Sequence, residues 1–195
     1  MGIILPKQAG TKEGKLLFQK SDRVENFDRG TETVNSLKET LEHYGGVGLA
    51  APQIGISKRV FVVNIRPTED YPQLPQIGFR TYLNPDILTA SSETNNDMEG
   101  CLSIFYATLY GAVKRSSYVR LKYLNIKGEE QIEEIDHPFW ARVVLHENDH
   151  LNGKIFLQRM KKEDFSKLYW DETLDIRKED QGLIAHQNKV KEAKR

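Results

Sequence analysis

Apolar residues in this chain follow two kinds of spacing. Between Thr31 and Tyr44 they recur three and four apart, at Val34, Leu37, Leu41 and Tyr44, which is one stripe of an amphipathic helix. Gly45-Gly46 ends that stripe as a left-handed cap would. Arg59 to Ile65 (RVFVVNI) is a near-continuous apolar run of strand length and predicts a buried strand. Between them, Val47 to Gln53 is small and apolar, with glycine and proline marking a shaped loop. Three prolines between Arg66 and Arg80 predict a long loop. Thr81 to Leu88 reads as a short strand broken by Pro85, and Thr89 to Met98 as a polar loop. Tyr118 to Ile126 alternates, with Val119, Leu121 and Tyr123 on one face. Lys127-Gly128 turns it, and Glu130 to Ile135 returns as a hairpin partner.

Asp136 is the predicted N-cap of a second helix, Pro138 to Leu151, which Asn152-Gly153 ends. Phe139, Val143, His146 and His150 share one of its faces, while Trp140, Val144 and Leu151 cover a neighbouring one. A helix apolar over so much of its circumference is buried on several sides. Lys162 to Thr173 is a further amphipathic helix candidate through Phe165, Leu168 and Tyr169. Beyond Asp175 the chain is polar and reads as a solvated helix or a frayed tail over about 175–195. Strands, then hairpins, then helices predict an α+β fold rather than a doubly wound parallel sheet.

Composition narrows the function. At 195 residues the expectation is a single domain over 1–195. Lys plus Arg and Asp plus Glu each total 28, so no bulk charge recommends nucleic acid or an anionic membrane as partner. No apolar run approaches the ~18–20 residues of a membrane span. The start holds only Ile3-Ile4-Leu5 before Pro6, too short for a signal peptide, so a cytoplasmic protein is expected. Cys101 is the single cysteine, which excludes an intrachain disulfide and suits a reducing compartment.

Candidate chemistry sits on the second helix. His146-Glu147-Asn148-Asp149-His150 is H-E-x-x-H, whose two histidines stand one turn apart and can meet one metal ion. Glu147, beside the first ligand, can reach a water on that ion. A catalytic site of this type wants a third ligand. His43 at a helix end, His137 before Pro138 and His186 in the polar tail each have simpler explanations. Cys101, between a polar loop and an apolar stretch, is by spacing as readily a small buried side chain as a ligand.

Three segments in order resemble the peptide deformylase family: Gly46-Val47-Gly48-Leu49-Ala50-Ala51-Pro52-Gln53, Glu99-Gly100-Cys101-Leu102-Ser103 and His146 to Gly153. The resemblance covers about residues 30 to 160. It implies mixed or antiparallel sheets packed around a central helix that carries H-E-x-x-H. It also implies one divalent metal, Fe(II) foremost with Zn, Ni or Co as alternatives, held by Cys101, His146 and His150. Glu147 resembles the family's general acid/base, which works with a metal-bound hydroxide. Gln53, through its side-chain amide, and the Leu102 backbone N–H resemble its oxyanion hole. The implied substrate is an N-formyl-methionyl chain end. It would lie extended against Gly46 and Gly48, with its methionine in an apolar pocket near Val47 and Val143. A ribosomal contact fits an enzyme of nascent chains.

The chain departs from the family at three places near substrate recognition. Leu145 stands where Gln usually precedes the first metal histidine, Phe105 where Pro or Gly follows the cysteine motif, and Tyr110 near a usual Arg. These departures predict intact metal chemistry with altered substrate preference. Two other readings compete. One is a zincin-like endoprotease with Glu163 or Glu172 as third ligand, and the other is a binding module on the same fold. Oligomeric state is not legible in the sequence.

Overall fold

A computed structural model of the chain describes residues 3–69 and 71–171. Its first helix, α1, spans Phe27–Tyr44 and begins four residues before the predicted start. Asn26 is the reason: its side-chain oxygen accepts the Arg29 N–H at 3.1 Å, a cap that leaves no mark on the apolar pattern. Gly45 closes α1 at φ +64°, as its place after Tyr44 predicts.

Among the described residues eight strands follow it: β1 (Gly48–Ala50), β2 (Val60–Ile65), β3 (Gly78–Ala90), β4 (Thr94–Gly100), β5 (Leu109–Ser116), β6 (Val119–Leu124), β7 (Glu130–Ile135) and β8 (Tyr169–Trp170). Every ladder between them is antiparallel. They form a five-stranded sheet, β1-β2-β3-β6-β7, and a three-stranded sheet, β4-β5-β8. The second helix, α2, spans Pro138–Leu151 as predicted and packs against β1, β2 and β5, hence against both sheets. The α+β class is therefore observed, with α2 central.

The continuous apolar run of β2 has a simple cause. Val60 and Val62 pack with Val34, Leu37 and Leu41 of α1, while Phe61, Val63 and Ile65 pack with Ala141, Val143 and Val144 of α2. Both faces of the strand are buried, so neither can be polar. Arg59, just before it, donates to the carbonyls of Leu151 (3.2 Å) and Pro85 (3.0 Å), tying the end of α2 to β3.

Four local expectations are corrected. The shaped loop at Val47 to Gln53 contains β1 and a 3-10 turn, Ala51–Ile54. Pro85 does not end a strand: β3 runs on to Ala90, with register shifts between Leu83 and Asp86 and between Ile87 and Thr89 that absorb it. The polar segment before Met98 is β4, a strand whose partner β5 is distant in sequence and supplies what its own residues do not announce. Over its described part, to Asp171, the segment predicted as a helix from Lys162 is not one: Lys162–Lys167 is a 3-10 turn, and β8 then joins the open edge of β5. Thr173 and the polar segment 175–195 lie outside the described residues. No helix of the described residues is long and apolar enough to cross a membrane.

Candidate metal centre

α2 places His146 and His150 one turn apart, with ring centroids separated by 5.0 Å. Cys101 follows the last residue of β4 and reaches the same point from the other sheet. Its Sγ lies 3.3 Å from His150 Nε2, and the ligand atoms of Cys101, His146 and His150 all lie within 4.8 Å of one another. Ligands on one tetrahedral ion stand roughly 3.3–3.6 Å apart, so this spacing fits a divalent cation with one position open. Cys101 and His150 are buried, and the His146 side chain is 11% exposed. Cys101, whose role spacing left undecided, is thus grouped with the two histidines as a group that could hold a metal ion. Two further histidines lie elsewhere. His43 lies in the last turn of α1 against Tyr44. His137, rather than Asp136, caps α2, because its Nδ1 accepts the Phe139 N–H at 3.3 Å. His186 and Glu172 lie outside the described residues, and Glu163 pairs with Lys161 on the surface.

A buried ionic network orients the centre. Glu99 Oε2 accepts the His146 Nδ1–H at 2.9 Å, which turns the Nε2 lone pair toward Cys101. Glu99 also accepts from Arg115 Nε (2.8 Å) and Nη2 (2.9 Å) and from Arg142 Nη1 (2.8 Å). Arg115 bridges on to Asp149, which Arg159 holds from the other side. Burial opposes the charge on Glu99, but the hydrogen bonds from Arg115 and His146 prevail and hold its carboxyl well below the usual range. Sequence reasoning assigned no role to Glu99, Arg115, Arg142 or Asp149. The available signal was Arg142 and Asp149, charged residues outside the His-Glu-His set on a helix whose apolar faces mark it as buried, since buried charges occur in pairs.

Glu147 stands at the edge of the triad. It is 4% exposed, and its Oε2 has no hydrogen-bond partner among the described residues. Burial pushes its pKa up to about 7, with the nearby His146 acting the other way. Burial likewise drives His150 well below its ordinary value, which keeps it neutral and able to ligate. An orphaned carboxylate oxygen beside a thiol and two imidazoles is the donor set that a catalytic divalent ion would complete.

The other predicted residues divide. Gln53 Oε1 accepts the Ala50 N–H at 2.7 Å, which aims its Nε2 at Cys101 Sγ, 3.5 Å away. Leu102 is buried next to Cys101 and its carbonyl accepts from Gln8; its N–H donates to no protein group among the described residues. Gly48 touches Glu147 directly: a Cβ there would lie 2.6 Å from Glu147 Oε1 and 2.9 Å from Val143 Cγ1. Its missing side chain therefore makes room for Glu147, a reason the sequence reading did not include. Gly46 instead faces the side chains of Leu41 and Leu102. Val47 is half-buried, and Leu145, on α2, is partly buried against the same core.

Two free strand edges flank the centre. The Asn64 N–H bonds the Val47 carbonyl, so antiparallel alternation turns the backbone groups of Gly48 and Ala50 away from β2. On the other side the Asp171 N–H bonds the Thr108 carbonyl, so Thr108 and Tyr110 bond β8 while Leu109 and Gly111 bond β4. Gly100, opposite Tyr110, consequently turns its N–H and C=O outward.

Comparison with known proteins agrees with this geometry. The sequence model of the family described as Polypeptide deformylase matches residues 8–166. A peptide deformylase of Thermotoga neapolitana is 40% identical over 147 residues, 75% of this chain and 82% of the relative. Peptide deformylase 1 of Clostridium acetobutylicum is 41% identical over 147 residues, 75% of this chain and 89% of its own. Among solved structures, a class I type b peptide deformylase from Acinetobacter baumannii superposes with a TM-score of 0.74 at 35% identity, covering 82% of this chain and 100% of that one. The enzyme of Thermotoga maritima superposes with a TM-score of 0.71 at 34% identity, covering 83% and 99%.

Proposed function

Because the chain belongs to the peptide deformylase family, metal-dependent hydrolases that remove the N-formyl group from nascent polypeptides, we propose that Cys101, His146 and His150 hold its metal and that Glu147 moves the proton. The observation that carries this reading is the convergence of three ligand atoms within 4.8 Å beside a buried, unpartnered Glu147 oxygen. A divalent ion in that position supplies a Lewis acid that makes water a nucleophile near neutral pH. Glu147, with a pKa of about 7, is poised to accept a proton from the attacking water and deliver it to the departing amine. The Gln53 Nε2–H and the Leu102 N–H are the donors for charge developing on the formyl oxygen. Gln53 is held for that role by its bond to Ala50, so no reorganisation accompanies the reaction.

Substrate binding follows from the two strand edges. The backbone of Gly48 on one side and of Gly100 on the other would pair with a formyl-methionyl chain end, while Val47 and Val143 line the methionine pocket. The metal is Fe(II), one of several ions that a thiolate with two imidazoles accepts. The enzyme works in the cytoplasm on chains emerging from the ribosome, where a reduced Cys101 is maintained. The test is anaerobic purification, metal analysis and an assay of formate release from formyl-Met-Ala peptides. The expected result is one metal per chain, release by the native protein and loss of release in Glu147→Gln at full metal content. An inactive native sample with full metal overturns the reading, and cleavage of internal peptide bonds would favour an endoprotease.

A further inference from the structure

The two proposed oxyanion donors stand at the ends of strands in different sheets. Gln53 lies in the 3-10 turn after β1, and Leu102 in the loop after β4. Among the described residues no backbone hydrogen bond joins that turn to that loop. The segment Pro6 to Ala9 bridges them instead. The Lys7 N–H donates to the Gln53 carbonyl at 2.7 Å, and the Ala9 N–H donates to the Ser103 carbonyl at 2.8 Å. Between them Gln8 Nε2 donates to the Leu102 carbonyl at 2.8 Å, and to the Pro6 carbonyl at 3.2 Å. Gln8 Oε1 accepts the Tyr106 N–H at 3.3 Å. Three consecutive residues therefore hold both donor segments.

The Leu102 loop is one that needs holding. Phe105, Tyr106 and Ala107 have left-handed backbones, at φ +47°, +55° and +63°, and none is glycine. Consecutive residues in that region persist only where surrounding contacts overdetermine them. Some of those contacts are internal, since the Ile104 and Ala107 N–H groups both donate to the Cys101 carbonyl. Gln8 comes from outside the loop and ties its start, at Leu102, to its strained part, at Tyr106.

We propose that Gln8 is a positioning residue for the reaction, the centre of an N-terminal clasp that fixes the Leu102 N–H relative to the Gln53 amide. The inference rests on the oxyanion donors proposed above. Both donors must reach one oxygen at about 2.7–3.1 Å. Ladder pairing within each sheet does not set the distance between them, whereas the clasp bonds to both. Charge on the formyl oxygen develops only as the reaction proceeds. A misplaced donor therefore lowers kcat and leaves substrate affinity nearly intact.

Kinetics on formyl-Met-Ala with the metal-loaded protein test this. Gln8→Ala should lower kcat by about 10–100-fold, with KM within about threefold of native and metal content unchanged. Gln8→Glu keeps the acceptor for the Tyr106 N–H but turns an oxygen onto the Leu102 carbonyl. It should lose at least as much kcat, and being isosteric it covers the case of a poorly folding Gln8→Ala. The product Met-Ala lacks the formyl oxygen, so its affinity by calorimetry should stay within about twofold of native in both variants. A merely structural fault would weaken product binding and raise KM. A kcat within about twofold of native in both variants, or a loss carried by KM and product affinity instead of kcat, overturns the proposal. Should the metal-loaded native protein release no formate, the proposed chemistry fails. Amide hydrogen exchange over Leu102 to Thr108 then decides the clasp on its own: faster exchange in Gln8→Ala than in the native protein supports it, and equal exchange refutes it.

Discussion

Gly48→Ala isolates the placement of Glu147 from its chemistry. Gly48 lies in β1 and is not among the positions of positive φ, so alanine fits its backbone without strain. The new methyl group, however, would lie 2.6 Å from Glu147 Oε1, 3.0 Å from Glu147 Cδ and 2.9 Å from Val143 Cγ1. Ordinary contact begins near 3.4 Å, so the carboxylate must retreat by roughly 0.8 Å or β1 must shift by as much. Glu147 is 4% exposed on a helix packed against strands of both sheets, so the movement must displace neighbouring protein atoms. Misplacing a reacting group by about 1 Å costs on the order of 10²-fold in rate, or about 2.7 kcal/mol in the barrier. Overpacking should also destabilise by about 1–2 kcal/mol, partly offset by the lower unfolded-state entropy of alanine. The assay is formate release at saturating formyl-Met-Ala, with metal content measured on the same sample. The expected outcome is a drop in kcat of about 100-fold at unchanged metal content, since Gly48 touches none of the three ligands. A kcat within about twofold of native in a fully metallated Gly48→Ala would refute the argument that Gly48 is there to seat Glu147.

Other perturbations separate the parts of the centre. Cys101→Ala should lose bound metal and activity together, because two imidazoles alone hold a divalent ion weakly; normal metal content on elemental analysis would contradict the assignment. Glu99→Gln removes the charge and one of the two acceptor oxygens shared by Arg115, Arg142 and His146, and should cost about 3–5 kcal/mol by chemical denaturation, with roughly 10–100-fold weaker metal affinity by chelator competition. Arg59→Met leaves the Pro85 carbonyl without its donor and the Leu151 carbonyl with only the Ser21 N–H, and should lower stability by about 2 kcal/mol, while formate release from the surviving folded fraction stays near native.

The sequence alone determined those features whose signal is local. The bounds of α2 follow from Pro138 and Asn152-Gly153, the end of α1 from Gly45, and the β6–β7 hairpin from alternation around Lys127-Gly128, because caps and turns act over a few residues. H-E-x-x-H was legible for the same reason, since a helix places residues four apart on one face. What joined from a distance was not. β4 looked like a loop because its polar residues become a strand only beside β5, and β8 looked like a helix until the edge of β5 captured it. Cys101 could not be told from a small core residue by spacing, because its partners lie more than forty positions away on another element. The ionic network around Glu99 and the contact between Gly48 and Glu147 likewise depend on β1, β4, β5 and α2 meeting at one point. Chain order supplies the residue types, but only the packing of two sheets around one helix removes the water that would otherwise separate and screen them.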